Sequence, residues 1–456
     1  MNGKGGKEMV HRYFPQTEED RKEMLSFLGV ESVEELFQDI PEAVRLKRTL
    51  KVGEGLSEGE LMRHMRNLAG KNTDLTQLVS FLGAGVYEHY IPSVVSHLLS
   101  RSEFYTAYTP YQPEISQGEL QAMFEFQTMV CEITGMEVAN SSMYDGATAL
   151  AEAAMMAAGD KKRKKVIISR AVHPEAREVL TAYAHGQGIQ VEEVAFEEGL
   201  TSLEDLERKM DETVAAFIVQ YPNFFGAVED LSSLGEVVHR KKGVFIVSAN
   251  PVSLGLLTPP GRMGADVVVG DMQPLGIPPQ FGGPHCGYFA VTSTYMRKIP
   301  GRIVGETKDE KGRRGFVLTL QAREQHIRRE KATSNICSNQ ALNAVAAAIT
   351  MAALGRKGYA ELARLNFQKA HYAEHLISAL PGYENPFKAP FFNEFVVKTP
   401  IPVREIQERL LRHGILAGYD LGKKYPELEN HLLIAVTDLR TKEEVDRFVR
   451  LLEGLQ

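Results

Sequence analysis

The sequence predicts an α/β protein built on a mostly parallel central sheet, preceded by a helical arm and followed by a smaller α/β unit. Short β-branched runs between Val166 and Val291 lack the alternation of half-exposed strands, and amphipathic stretches separate them. That is the pattern of a parallel sheet covered on both faces. The opening stretch is charged and helical in pattern, and a second strand-and-helix pattern begins beyond Gln340. We place the arm at residues 1–60, the large domain at 61–330 and the small domain at 331–456.

The elements follow in order. Thr17 is the N-cap of a first helix with Asp20 three residues on, and Ser32 opens a second with a capping-box partner in Glu35. Little of this arm could bury a core by itself, so it is expected to rest on another surface. Strands are predicted at Val166–Ser169, Ile189–Ala195, Ala215–Gln220, Val244–Val247, Asp266–Val269 and Tyr288–Val291. Helices are predicted at Pro174–His185, Ser202–Met210 and Leu231–Arg240. A long helix follows Gln340, then another over Gly358–Leu380. The small domain carries strands at Glu394–Lys398 and Leu432–Val436 and helices at Val403–His413 and Lys442–Leu455. The charged run from Glu306 to Arg314 reads as a solvated loop or hairpin, and Lys161-Lys-Arg-Lys-Lys as cations closing a helix C-terminus.

Composition narrows the function. The chain has 456 residues, 43% hydrophobic and 24% charged, as in ordinary globular proteins. Its net charge of -7 argues against a nucleic-acid binder, which needs a basic footprint. Three scattered cysteines give neither a disulfide framework nor zinc spacing. No apolar signal segment opens the chain, and the Ala-rich run Ala341–Leu354 is too short to span a bilayer, so a cytoplasmic protein is expected.

One segment points to specific chemistry. Gly264-Ala-Asp-Val-Val-Val-Gly-Asp-Met-Gln-Pro-Leu-Gly resembles the strand of pyridoxal-phosphate enzymes of the aminotransferase fold whose far end carries a His-Lys pair. Those two positions fall on Gln273 and Pro274, and proline has no amine with which to capture an aldehyde. No lysine lies between Lys242 and Lys298. The carboxylate that would pair with a pyridinium nitrogen is also missing, with Val247 or Asn250 in its place. Ser141-Ser-Met-Tyr-Asp-Gly-Ala-Thr-Ala-Leu resembles a phosphate-cradling turn at a helix N-terminus, which makes Tyr144, Asp145, Gly146, Gln273 and Pro274 a candidate vestigial cofactor pocket. Each segment also fits an α/β domain with no cofactor history. Phe281-Gly-Gly-Pro lacks the Lys and Ser/Thr of a nucleotide-binding loop, and His285-Cys286 is a lone pair.

Longer motifs carry a family resemblance. Leu82-Gly-Ala-Gly-Val-Tyr-Glu-His-Tyr-Ile-Pro and Phe104-Tyr-Thr-Ala-Tyr-Thr-Pro-Tyr-Gln-Pro-Glu-Ile-Ser-Gln-Gly resemble the glycine cleavage P proteins. So do Gln280-Phe-Gly-Gly-Pro-His and Thr333-Ser-Asn-Ile-Cys-Ser-Asn-Gln-Ala-Leu, and the matches span nearly the whole chain. The resemblance implies the type I pyridoxal-phosphate fold and, from the length and the missing lysine, the alpha half of a two-subunit glycine decarboxylase. It further implies a cofactor on a beta partner and not covalently on this chain, an alpha2beta2 assembly, glycine as substrate, and a lipoylated H protein receiving the aminomethyl group.

Residues that could reach a shared site are sought in the Tyr105–Gly118 segment. Tyr105, Tyr108, Tyr111, Gln112, Glu114, Ser116 and Gln117 are set there around Pro110 and Pro113, which should hold a fixed loop rather than a helix. His89 and Tyr90 are further candidates. The same tyrosines also suit a protein interface that touches no substrate. Two rivals remain open on sequence alone: a non-catalytic scaffold or regulatory homologue, and an independent enzyme using Lys298 or Lys331.

Overall fold

The computed structural model describes residues 13, 15–48, 50–53, 55–280 and 282–455. Phe281 of the Gln280–His285 motif and most of the opening stretch, residues 1–12 and 14, lie outside them. The chain divides into two compact units, Met1–Asn72 and Thr73–Gln456.

In the first unit, helix Glu18–Leu28 begins as its sequence predicts. Thr17 accepts from the Asp20 backbone while Asp20 reaches back to the Thr17 backbone, and Gly29 ends the helix in the left-handed conformation. Ser32 opens only a five-residue 3-10 turn, Val33–Phe37, and makes no side-chain cap. Glu35 turns back instead to Glu31 N and Ser32 Oγ, which satisfies the first turn without propagating a helix. A further helix, Glu58–Ala69, carries a Ser57–Glu60 capping box. No described residue of this unit is buried, and Phe27, Val44 and Val52 are largely exposed.

The second unit is organised by a seven-stranded sheet among the described residues. Its order across the sheet is Val138–Ala139, Gly287–Val291, Val267–Asp271, Val244–Ala249, Val214–Tyr221, Lys165–Ser169 and Gln190–Val194. The last five run parallel. Gly287–Val291, expected among the parallel strands, is instead antiparallel to both neighbours. The physical reason is its connection: no helix intervenes between Asp271 and Gly287 among the described residues, and a parallel return needs a crossover.

Successive strand residues face opposite layers. Phe217, Val219, Phe245 and Val247 enter one apolar core, and Ile168, Ala216, Ile218 and Ile246 the other. Helix Gly146–Lys161 fills the second layer with an almost unbroken buried Ala and Met surface. Both faces are therefore dry, which explains the continuous apolar runs in the sequence.

Helix Ala341–Ser378 is interrupted at Gly355, whose backbone leaves the helical region at φ 60° and ψ 176°. Beyond it, strands Glu394–Lys398, His431–Ala435 and Tyr419–Asp420 form an antiparallel sheet. Helices Val403–Leu411 and Lys442–Glu453 close its core, and Phe448 stacks on Phe81 with ring centroids 4.1 Å apart. The charged run around Asp309 is the tip of a hairpin between Ile303–Lys308 and Arg314–Thr319. No described helix is long and apolar enough to cross a membrane.

Candidate functional site at the end of the central strands

Parallel α/β sheets hold ligands beyond the carboxyl ends of their strands, so the tip of Val267–Asp271 is the place to examine. The turn Ser141–Asp145 lies beside it. Asp145 caps helix Gly146–Lys161 by accepting from Thr148 N at 2.7 Å, and Gly146 N donates to Asp271 Oδ2 at 2.9 Å. A Cβ on Gly146 would come 3.1 Å from the Asp271 Cβ and backbone, so a side chain there would crowd this close approach. The segment Thr333–Gln340 closes the turn from the other side. Asn339 Nδ2 donates to Ser141 Oγ at 3.1 Å, Gln340 N to Ser142 Oγ at 3.1 Å, and Cys337 N to the Tyr144 hydroxyl at 3.4 Å.

Gln273 is 1% exposed, and its side-chain amide makes three hydrogen bonds. Its oxygen accepts from Tyr87 N at 2.9 Å, and its nitrogen donates to Tyr87 O at 2.8 Å and Ile277 O at 2.9 Å. Pro274 is buried beside it. The residue that stands where a histidine would precede a lysine therefore works as a tie to the Leu82–Pro92 segment.

Three other side chains hold that segment, and none was singled out from sequence. Buried Glu394 accepts from Ala84 N at 2.7 Å and from the Tyr87 hydroxyl at 2.6 Å, and burial pushes its carboxyl up to about 7. His173 approaches Ala84 O with Nε2 at 2.9 Å, and its Nδ1 accepts from Glu175 N; burial lowers its pKa. Asp438 meets His89 Nδ1 at 2.5 Å and accepts from Tyr90 N at 3.3 Å. His89 is thus buried and oriented, with its Nε2 lacking a hydrogen-bond partner among the described residues, whereas the neighbouring Tyr90 ring is exposed.

The Tyr105–Gly118 segment is a loop only as far as Ser116. Gln117 and Gly118, expected in the loop, begin helix Gln117–Thr134. The helix can start there because the Gln117 side chain is anchored to both backbone groups of Phe316, at 2.9 Å each, and Ser116 is buried at the N-cap position. Tyr105, Tyr108 and Tyr111 are 69%, 83% and 57% exposed, and Gln112 and Glu114 are exposed with them. Beneath them Thr106 donates to buried Glu119 at 3.0 Å; burial raises that carboxyl, against the Thr106 hydrogen bond and the Arg302 charge. Arg302, 4% exposed, lies 5.5 Å from the Tyr111 ring centroid and donates to Cys337 O at 2.5 Å. Through Arg302 and Cys337 the loop is joined to Tyr144, and through Tyr87 the His89–Tyr90 pair is joined to Gln273.

Lys298 does not approach the strand tip. It pairs with Asp160 in the last turn of helix Gly146–Lys161, 16 residues long and therefore about 24 Å from end to end, with Gly146 at the other end.

The strand order, the antiparallel Gly287–Val291 and the turn beside Asp271 define the type I fold of pyridoxal-phosphate enzymes. Solved structures agree: a glutamate decarboxylase of Lactobacillus brevis superposes with a TM-score of 0.68 at 14% identity, over 92% of this chain and 96% of that one, a likeness of fold alone. A closer match is a crystal structure of glycine decarboxylase (P-protein) of the glycine cleavage system in inhibitor-bound form. It has a TM-score of 0.88 and 43% identity over 98% of this chain and 100% of that one. A "Probable glycine dehydrogenase (decarboxylating) subunit 1" of Geobacillus kaustophilus is 64% identical over 441 residues, 97% of this chain and 98% of that protein. Residues 11–452 match the model of the glycine cleavage system P-protein family, and the chain belongs to that family.

Pyridoxal phosphate does not fit the residues at this strand tip. Pro274 offers no amine, Gly146 N already has an acceptor in Asp271, and both donors of the Gln273 amide are held by Tyr87 O and Ile277 O.

Proposed function

We propose that this chain is subunit 1, the alpha chain, of a two-subunit glycine dehydrogenase (decarboxylating). With a beta partner that holds pyridoxal phosphate, it would decarboxylate glycine and pass the aminomethyl group to the lipoyl arm of the H protein. The observation that carries the reading is Pro274 at the lysine position in a chain 64% identical to a protein named as subunit 1. A chain that cannot hold the aldehyde has to work beside one that can.

On this proposal the alpha chain supplies a surface to a shared pocket in an alpha2beta2 assembly in the cytoplasm. Tyr105, Tyr108, Tyr111, Gln112 and Glu114 are its exposed contributors, with Ser116 and Gln117 fixing the base of their loop, and His89 and Tyr90 on the neighbouring segment. Rigid placement of such groups lowers the entropic cost of orienting a substrate. The arm, large domain and small domain at 1–60, 61–330 and 331–456 are proposed on the same footing.

Two preparations test the proposal. The isolated chain with added pyridoxal phosphate should stay colourless and show no exchange of bicarbonate into glycine. Co-expression with the second subunit should give a yellow complex that exchanges; a colourless, inactive complex refutes the assignment.

A further inference from the structure

Nitrogens from two distant stretches of chain, together with Gln273 N just beyond it, converge on the carboxylate of Asp271. Gly146 N, at the start of a 16-residue helix, lies 2.9 Å from Oδ2. Gln273 N and Cys286 N meet Oδ1 at 2.9 and 3.4 Å, and His285 Nδ1 lies 3.5 Å from Oδ2. Free N–H groups and the dipole at a helix start favour an anion, and an adjacent imidazole adds to that preference. Here the anion is a side chain of the strand whose tip the helix faces.

We infer that Asp271 is a built-in substitute for a bound oxyanion: its carboxylate takes the first backbone N–H of helix Gly146–Lys161, beside the Asp145 cap on Thr148 N, and closes this strand tip to phosphorylated ligands. A tethered carboxylate already in contact competes at a very high effective concentration, so phosphate at millimolar levels does not displace it. Without it, Gly146 N–H, Gln273 N–H and the His285 ring would face an unfilled space, and a tetrahedral oxyanion such as inorganic phosphate would satisfy them. This rests on the reading of Ser141–Gly146 as the counterpart of a phosphate-cradling turn. It turns the missing lysine into one half of a double closure, since the aldehyde end and the phosphate end of a cofactor are both excluded.

The test uses the full-length chain as wild type, Asp271→Ala and Asp271→Ser, melted in inorganic phosphate and in chloride of matched ionic strength. Both variants should melt below wild type in chloride, and 50 mM phosphate should raise their Tm by about 3 °C while leaving wild type unmoved. If a variant does not fold in chloride, refolding in phosphate but not in chloride is the corresponding supporting result. Variants indifferent to phosphate, or a wild type that responds as strongly as they do, overturn the inference. A visible absorbance band from wild type with pyridoxal phosphate would instead overturn the placement of the cofactor on the partner, whatever the phosphate result.

Discussion

Replacing Gln273 by alanine tests whether the strand tip serves as a structural tie. The substitution removes the partner of Tyr87 N, Tyr87 O and Ile277 O in one step, in a place where Gln273 is 1% exposed. A buried backbone group left unpaired costs about 1–3 kcal/mol. A water entering the vacated polar space would recover part of this, leaving a net loss of about 3 kcal/mol. At about 2.1 cal/mol/K of unfolding entropy per residue, a unit the size of Thr73–Gln456 then melts roughly 4 °C lower. Calorimetry reads the shift, and hydrogen exchange reads its location. The Tyr87 amide, now held by the Gln273 oxygen, should exchange faster, while amides of strand Val214–Tyr221 should not. A Tm within about 1 °C of wild type with unchanged exchange at Tyr87 would refute the tie.

Glu394 should leave a pH signature. Its folded value, raised by burial to about 7 from 4.5, means that its stabilising contribution is complete below about pH 4.5 and is lost as pH climbs through 7. Glu394→Gln should therefore flatten the rise in Tm on acidification between pH 8 and 5; parallel slopes in the two proteins would count against it. Gly83→Ala would set a Cβ 2.4 Å from Glu394 Oε1 and 2.5 Å from Ala435 Cβ, so about 1–3 kcal/mol of destabilisation is expected in a melting experiment, and an unchanged Tm would refute the close approach. Tyr108→Ala, at an 83% exposed position, should leave the chain's stability within about 0.5 kcal/mol yet cut bicarbonate exchange by the assembled enzyme about tenfold. Full activity in the complex removes Tyr108 from the shared pocket.

The fold was legible where burial imposes a pattern. Val214–Tyr221 and Val244–Ala249 are apolar on both faces because helices cover both, and that needs no long-range knowledge to see. The reversal of Gly287–Val291 was not legible, because an antiparallel strand covered on both faces has the composition of a parallel one. Val138–Ala139, two residues long, offers no periodicity at all. Within the site, Pro274 spoke from sequence because one missing functional group excludes a reaction. Glu394 and Asp438 did not, since each acts on the Leu82–Pro92 segment from more than 300 positions away. Asp271 lay inside the very motif that was read, but its role depends on Gly146 arriving across a fold that the motif does not encode.

These contacts give the residues at this strand tip a structural role. Gln273, Glu394, His173 and Asp438 come from four separate parts of the chain, and all four terminate on the segment between Gly83 and Tyr90. That segment includes glycines at positions a side chain would clash with and an Ala84 at φ 55°, a backbone that few sequences hold unaided. Its placement is thus set by groups at the end of the central sheet rather than by its own propensity. If Tyr90 and the Tyr105–Tyr111 loop form the alpha side of a shared pocket, then the tip of Val267–Asp271 contributes by rigidity. On that reading, substitutions at Gln273 should reach catalysis through the placement of the Gly83–Tyr90 segment, changing KM and kcat together.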